Sequence, residues 1–205
     1  MTQSRKWAWI SGWGIQPQRF QAAVETVMPD DLHKVFAPEP QAIELALQSQ
    51  PSHFGSYSLG SLLLLDALDQ IPLNTTVVCI APILAFCKEA EMGGTTPLGS
   101  LQLLQAKLDQ NPSAALKLFY RLAKLSDEPT DDLPYPIESL AWGLQQLATI
   151  RARSTNLKGV EVVIGKQDPL LNADVLCSFF EHPTTIQSQH HYQDLLTGLA
   201  ARLHP

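Results

Sequence analysis

Apolar positions along the chain follow two rhythms, short unbroken runs and longer stretches at helical spacing. Lys6-Trp7-Ala8-Trp9-Ile10 is a short apolar, aromatic run of strand character that stops at Ser11-Gly12-Trp13-Gly14, where two glycines let the backbone turn sharply. Phe20, Ala23, Val24 and Val27 then recur at helical spacing up to Pro29-Asp30-Asp31, and Lys34 to Ala37 before Pro38 reads as a second strand. A helix is expected over Gln41 to Gln48. The stretch His53-Phe54-Gly55-Ser56-Tyr57-Ser58-Leu59-Gly60, followed by Ser61 to Leu68, reads as a strand, a tight turn and a helix. Thr75 to Ala81 is a β-branched run closed by Pro82. Strand and helix alternate, so a parallel sheet with crossover helices is the economical architecture.

The middle of the chain breaks this alternation. From Ile83 to Ile150 the pattern is almost wholly helical: Leu98 to Leu108, Ser113 to Leu125 and, beyond an acidic, proline-rich join from Ser126 to Pro136, Ile137 to Ile150. This predicts a helical cap over 83–150, inserted into a core made of 1–82 and 151–205. In the second of these helices Leu116, Phe119, Tyr120 and Ala123 form the apolar face, and Lys117, Arg121 and Lys124 make a parallel basic stripe, by itself the pattern of a solvated face. The first rhythm returns with a strand over Gly159 to Gly165 leading into Lys166-Gln167-Asp168-Pro169. Asn172 is expected to cap a helix from Ala173 to Phe180. A last strand, Thr184 to Ser188, precedes His190-His191 and a closing helix from Gln193 to Leu203.

Composition narrows the class. A chain of 205 residues with 45% hydrophobic positions suits one domain with a sizeable core. Acidic residues number 20 against 14 basic ones, a net charge of −6, which argues against general binding to nucleic acid or anionic membrane. Cys79, Cys87 and Cys177 form no C-x-x-C pair and lie in or beside apolar runs, so neither a metal site nor a disulfide framework is expected, and a cytoplasmic setting fits. The polar start Met1 to Lys6 predicts no secretory signal, and no apolar run reaches the roughly 18 residues of a membrane span.

Three reactive residue types sit where successive strands end: Ser58, Asp168, and His190 or His191. In an open α/β sheet the carboxyl ends of the strands share one edge, where loop residues from distant strands converge. A serine hydroxyl needs a base, imidazole serves at neutral pH, and a carboxylate on its far nitrogen fixes the tautomer. Ser58, flanked by small Ser56 and Gly60, suits a nucleophile elbow whose first glycine is serine, although a polar turn capping a buried helix uses the same residues. Oxyanion donors are expected at the backbone N–H of Leu59 and at Trp13 in the loop after the first strand.

Trp9-x-x-Gly12-Trp13-Gly14, the elbow Ser56-Tyr57-Ser58-Leu59-Gly60-Ser61, the cap, the stretch Leu157 to Asp168 and the late histidine together resemble the pimeloyl-[acyl-carrier-protein] methyl ester esterases of biotin synthesis. The likeness runs from Trp7 to Leu203. It implies an α/β-hydrolase fold with a mostly parallel sheet and an inserted helical cap, a cytoplasmic, monomeric enzyme without cofactor or metal, and an acyl carrier protein as partner. It also implies Ser58 as nucleophile, Asp168 as acid, His191, directly before aromatic Tyr192, as base, and the amides of Trp13 and Leu59 as oxyanion hole. A carrier protein is acidic, so Lys117, Arg121 and Lys124 become its expected docking site. The chain departs from the family at Ser11, where the family has histidine, at Ser56, and in lacking the first two strands. Related ester or thioester hydrolases with the same cap, or an inactive binding protein on the same fold, are the alternatives.

Overall fold

The computed structural model describes residues 4–130, 132–152 and 157–203. Met1 to Gln3 of the polar N-terminal stretch and Asp131 of the acidic join lie outside the described residues.

β1 (Lys6–Ile10) is buried at all but its first residue, which explains an unbroken apolar run in place of alternation, since both of its faces are covered. Trp7 and Trp9 stack with centroids 4.9 Å apart, and Trp9 meets Phe20 of α1 (Pro17–Val27) edge-on. Their indole N–H groups are satisfied by Asp31 and His33 respectively. β2 (Leu32–Phe36), α2 (Ala42–Gln48), β3 (His53–Tyr57), α3 (Leu59–Asp66) and β4 (Thr76–Ile80) follow, close to their expected spans. α3 is apolar all round and is buried from Leu59 to Leu65, sandwiched between the sheet and the cap.

The stretch expected to be almost wholly helical opens instead with two short strands. β5 (Ala85–Cys87) and β6 (Gly93–Thr96) pair in parallel, and Gly94 bridges to Leu171. Strands this short show no periodicity, and the glycines hid them further. A Cβ on Gly94 would lie 2.1 Å from the Phe86 carbonyl oxygen, so glycine is there to let two backbones meet. The cap helices are α4 (Leu98–Gln110), α5 (Pro112–Leu122) and α6 (Ile137–Thr149). Asn111 caps α5 by accepting the Ala114 N–H, with Pro112 in the first turn.

α5 ends earlier than the apolar spacing predicts. The Leu125 N–H donates to the Tyr120 carbonyl and the Lys124 N–H to that of Arg121, and Lys124 has φ +51. This is a Schellman ending with lysine in the left-handed position. Lys124 therefore leaves the helix, and the stripe on α5 is reduced to Lys117 and Arg121, one turn apart.

Beyond the cap come β7 (Glu161–Gly165), α7 (Ala173–Cys177), β8 (Thr184–Ile186) and α8 (Tyr192–Leu203). The Asn172 side chain caps α7 by accepting the Val175 N–H at 3.1 Å, as expected, although the helix stops at Cys177. The main sheet has the order β2-β1-β3-β4-β7-β8, with every pairing parallel. The chain runs outward from β1 to β2 and returns past β1 to β3, so the winding reverses between β1 and β3. Ligands of open α/β sheets bind in the crevice beyond such a reversal. Trp13 and Ser58 follow the carboxyl ends of those two strands.

Candidate active site

The turn from β3 to α3 holds Ser58 at φ +54 and ψ −116. A non-glycine residue occupies such a conformation at a cost of about 1–3 kcal/mol, and it is the geometry that exposes a nucleophile at a strand–helix elbow. The Ser58 N–H donates to the Ile80 carbonyl at 3.2 Å, while the Ser58 carbonyl accepts from the Ser61 and Leu62 N–H groups at 2.9 and 3.1 Å. Gly60 answers to a distant neighbour: a Cβ on it would lie 2.2 Å from the Ile10 carbonyl oxygen at the end of β1. That close approach to the end of β1 by itself requires glycine at position 60. Ser56 is engaged below the elbow, its hydroxyl 3.2 Å from both Ser61 Oγ and Cys79 Sγ. Burial pushes the Cys79 thiol up to about 12 against the pull of hydrogen bonds with Ser56 and Ser61, so it stays protonated and unreactive.

Ser58 Oγ lies 2.9 Å from His190 Nε2, and His190 Nδ1 lies 2.6 Å from Asp168 Oδ2. A carboxylate only accepts, so Nδ1 carries the proton and Nε2 is free to take the one on Ser58. Asp168 Oδ1 accepts the Leu170 N–H at 2.8 Å, which fixes the carboxylate on its loop. The side chains of His190 and Asp168 are 1% and 0% exposed, and Ser58 is 4% exposed.

The expectation of His191 at this position is corrected by one residue. His191 faces the other way, its Nε2 against Ser126 Oγ and its Nδ1 3.3 Å from Asp194 Oδ1. The backbone decides the matter. Lys166 and Gln167 N–H groups donate to the carbonyls of Ile186 and Ser188, drawing the chain beyond β8 along the loop that carries Asp168. The Tyr57 hydroxyl then holds the His190 carbonyl at 2.7 Å, with its ring 5.2 Å from the imidazole. With that backbone pinned, the His190 ring falls between Ser58 and Asp168 and the next side chain turns out. Tyr57 is a contributor with no signal in the sequence, since nothing local marks an elbow tyrosine as the anchor of a histidine 133 residues away.

The segment Gly12-Trp13-Gly14-Ile15 is a turn closed by the Ile15 N–H on the Gly12 carbonyl at 3.2 Å, with Gly14 at φ +72, as the third residue of a type II turn requires. It lies directly on the elbow: a Cβ on Gly12 would be 2.7 Å from the Tyr57 ring and 3.2 Å from Ser58 Cβ. The Leu59 N–H opens α3, where first-turn donors lack helical partners. Among the described residues neither it nor the Trp13 N–H donates to a protein acceptor. Above them, Gly143 of α6 brings the cap down so closely that a Cβ there would lie 2.8 Å from Trp13 Cδ1 and 2.9 Å from Leu59 Cδ2.

Lys117 and Arg121 line a cavity of about 420 Å³ with Tyr120, Ser126, Asp127 and Glu128. Asp127 is tied to α8, accepting from the Tyr192 hydroxyl at 2.8 Å and from Gln193 at 3.1 Å. A second groove of about 610 Å³ runs between α4 and α6, lined by Leu101, Glu138, Trp142 and Leu144, with no part of the Ser58 site in it. Among the described residues no cluster of three His, Cys, Asp or Glu is placed to hold a metal ion, and no helix is long and apolar enough to cross a membrane.

No protein-family model and no curated protein matches the sequence. Among solved structures the chain is similar to an esterase (EaEST) from Exiguobacterium antarcticum, with a TM-score of 0.74, 15% sequence identity and coverage of 98% of this chain and 91% of that one. It is similar also to a putative aryl esterase from Burkholderia cenocepacia, with a TM-score of 0.67, 12% identity and coverage of 98% and 89%. A thermophilic esterase from Thermogutta terrifontis gives a TM-score of 0.65, 9% identity and coverage of 96% and 88%. The chain has the α/β-hydrolase fold. At identities this low the likeness speaks for the fold and not for the reaction.

Proposed function

We propose that the protein is a serine ester hydrolase with Ser58 as nucleophile, His190 as general base and acid, and Asp168 as the carboxylate that orients the imidazole. The observation that carries this reading is the buried hydrogen-bond chain from Ser58 through His190 to Asp168. Ser58 Oγ adds to the ester carbonyl as its proton passes to His190 Nε2, and the oxyanion is met by the amides of Trp13 and Leu59. Collapse of the adduct expels the alkoxide, which takes the proton from His190 and leaves as alcohol. Water, deprotonated by His190, then adds to the acyl-serine; the bond from the acyl carbon to Ser58 Oγ breaks, His190 returns the proton to Ser58, and the acid is released. Asp168 stays ionised throughout and stabilises the imidazolium.

The finer reading is that the substrate is pimeloyl-[acyl-carrier protein] methyl ester, giving methanol and a free carboxylate in biotin synthesis in the cytoplasm. Its support is the motif resemblance together with Lys117 and Arg121 on a chain of net charge −6, where an acidic carrier would find local complementarity. Lys124 lies just beyond the helix end.

The test uses a fluorophosphonate probe followed by a purified carrier-bound dicarboxylate methyl ester. Labelling at Ser58, absent in Ser58→Ala, and release of methanol are expected. A folded protein that takes up no probe at Ser58 would overturn the hydrolase reading. Labelling without turnover of the carrier-bound ester, but with turnover of small free esters, would overturn the substrate alone.

A further inference from the structure

The turn that presents the Trp13 amide is held from the cap. The Gly14 N–H donates to the Tyr135 hydroxyl at 2.7 Å, the Tyr120 hydroxyl donates to the Gly14 carbonyl at 2.9 Å, and the Trp13 indole N–H donates to the Leu140 carbonyl at 2.8 Å. All three bonds are buried, and each reaches from the first loop of the core to a cap segment more than a hundred residues away. Tyr120 comes from α5, Leu140 from α6, and Tyr135 from the join between them. Burial pushes the Tyr120 hydroxyl up to about 12 and that of Tyr135 above its ordinary value, so both are neutral hydroxyls at working pH.

The restraint has a physical purpose in a turn of this composition. Glycine stands on both sides of Trp13, and glycine restricts its backbone least of all residues, so the Gly12–Trp13 peptide plane is free to rotate unless its neighbours are tied. Peptide groups are planar, so fixing the Gly14 N–H also fixes the Trp13 carbonyl, while the Ile15 N–H on the Gly12 carbonyl sets the plane that contains the Trp13 N–H. Among the described residues the core closes this turn with that one longer bond, at 3.2 Å. The shorter bonds come from the two tyrosines.

We propose that Tyr120 and Tyr135 are positioning residues that aim the Trp13 N–H at the oxyanion, so that the cap completes the catalytic site as well as covering it. The inference rests on the ester-hydrolase reading. The two hydroxyls touch no reacting atom; they act through the turn, and their effect belongs to the anionic tetrahedral adduct and not to the neutral ester. Losing one oxyanion donor costs about 10²–10³ in kcat in well-studied hydrolases. Loosening a donor that is still present costs part of that, about tenfold for each hydroxyl.

The test compares Tyr135→Phe and Tyr120→Phe with the wild-type chain, keeping the rings and removing one hydroxyl at a time. Hydrolysis of p-nitrophenyl acetate, inhibition by an alkyl trifluoromethyl ketone that captures Ser58 as an anionic hemiketal, inhibition by the matching methyl ketone, and thermal unfolding are measured. Expected are kcat lower by about tenfold with KM within twofold, and a trifluoromethyl ketone inhibition constant raised in parallel, with methyl ketone binding unchanged. Variants that melt earlier yet hold the trifluoromethyl ketone as tightly as wild type overturn the inference, as do variants that lose both ketones equally. A folded wild-type protein that neither hydrolyses the ester nor captures the fluoroketone overturns the hydrolase reading and this inference together, an outcome told apart from the others by the wild type itself failing.

Discussion

Two adjacent histidines each stand between a serine and an aspartate, and they differ in almost everything else. His190 joins Ser58 to Asp168 with side chains 1% and 0% exposed, and its partners come from the ends of two other strands. His191 lies against Ser126 of the cap join and Asp194 one turn along α8, with side chains 19% and 56% exposed. Residue types therefore do not distinguish the pairings. In the first, burial removes competing water, so each hydrogen bond must be kept and is electrostatically strong. In the second, water reaches the partners, and a solvent-exposed polar contact of this kind contributes little to stability. The serines differ too. Ser58 is held in a strained turn beside free backbone donors, and Ser126 sits exposed on a join.

The strongest way to break the comparison is to remove members of the buried pairing. Ser58→Ala and His190→Ala should each lower ester turnover by ~10⁴-fold or more with the fold intact, and the double variant should lose little beyond either, since such residues act as a unit. Additive losses would mean that Ser58 and His190 do not share one proton path.

Burial itself can be probed by alkali. Burial holds the Tyr57 hydroxyl well above its ordinary value and the Tyr120 hydroxyl up to about 12. A folded-state value above the unfolded one, near 10, means that this stability is whole below pH ~10 and is lost as pH rises through the folded-state values. The unfolding midpoint should therefore drop steeply above pH ~10, and less steeply in Tyr120→Phe. An unchanged slope would show that Tyr120 is wet in solution.

A smaller effect separates docking from chemistry. Replacing Lys117 and Arg121 with Glu should reduce kcat/KM on the carrier-bound ester by roughly tenfold and leave a small free ester unaffected, with added salt acting alike on the wild type. Equal losses on both substrates would assign these residues to support of the cap. The smallest effect is expected at the surface histidine: His191→Ala should keep activity within about twofold and change stability by about 0.5 kcal/mol or less. A dead His191→Ala beside a working His190→Ala would reverse the assignment.

Much of this molecule is legible in the order of its amino acids. Burial on both faces of a parallel strand makes an unbroken apolar run, as in Trp7 to Ile10, and the switch from strand to helix around Ser58 sits on small and apolar residues whose local meaning is plain. The parallel α/β core, the cap helices, the Asn172 cap, and the pairing of Ser58 with Asp168 through a late histidine follow from such local rules. The tertiary structure alone decided which histidine enters, because the choice is made by the Tyr57 hydroxyl on a carbonyl 133 residues away. It alone revealed β5 and β6, whose glycines serve a backbone contact with no periodic trace, and the departure of Lys124 from its helix, which a Schellman turn enforces against the apolar spacing. The hold of Tyr120 and Tyr135 on Gly14 spans 106 and 121 residues. Periodicity records which face of an element is buried, and carries no record of which distant element will cover it.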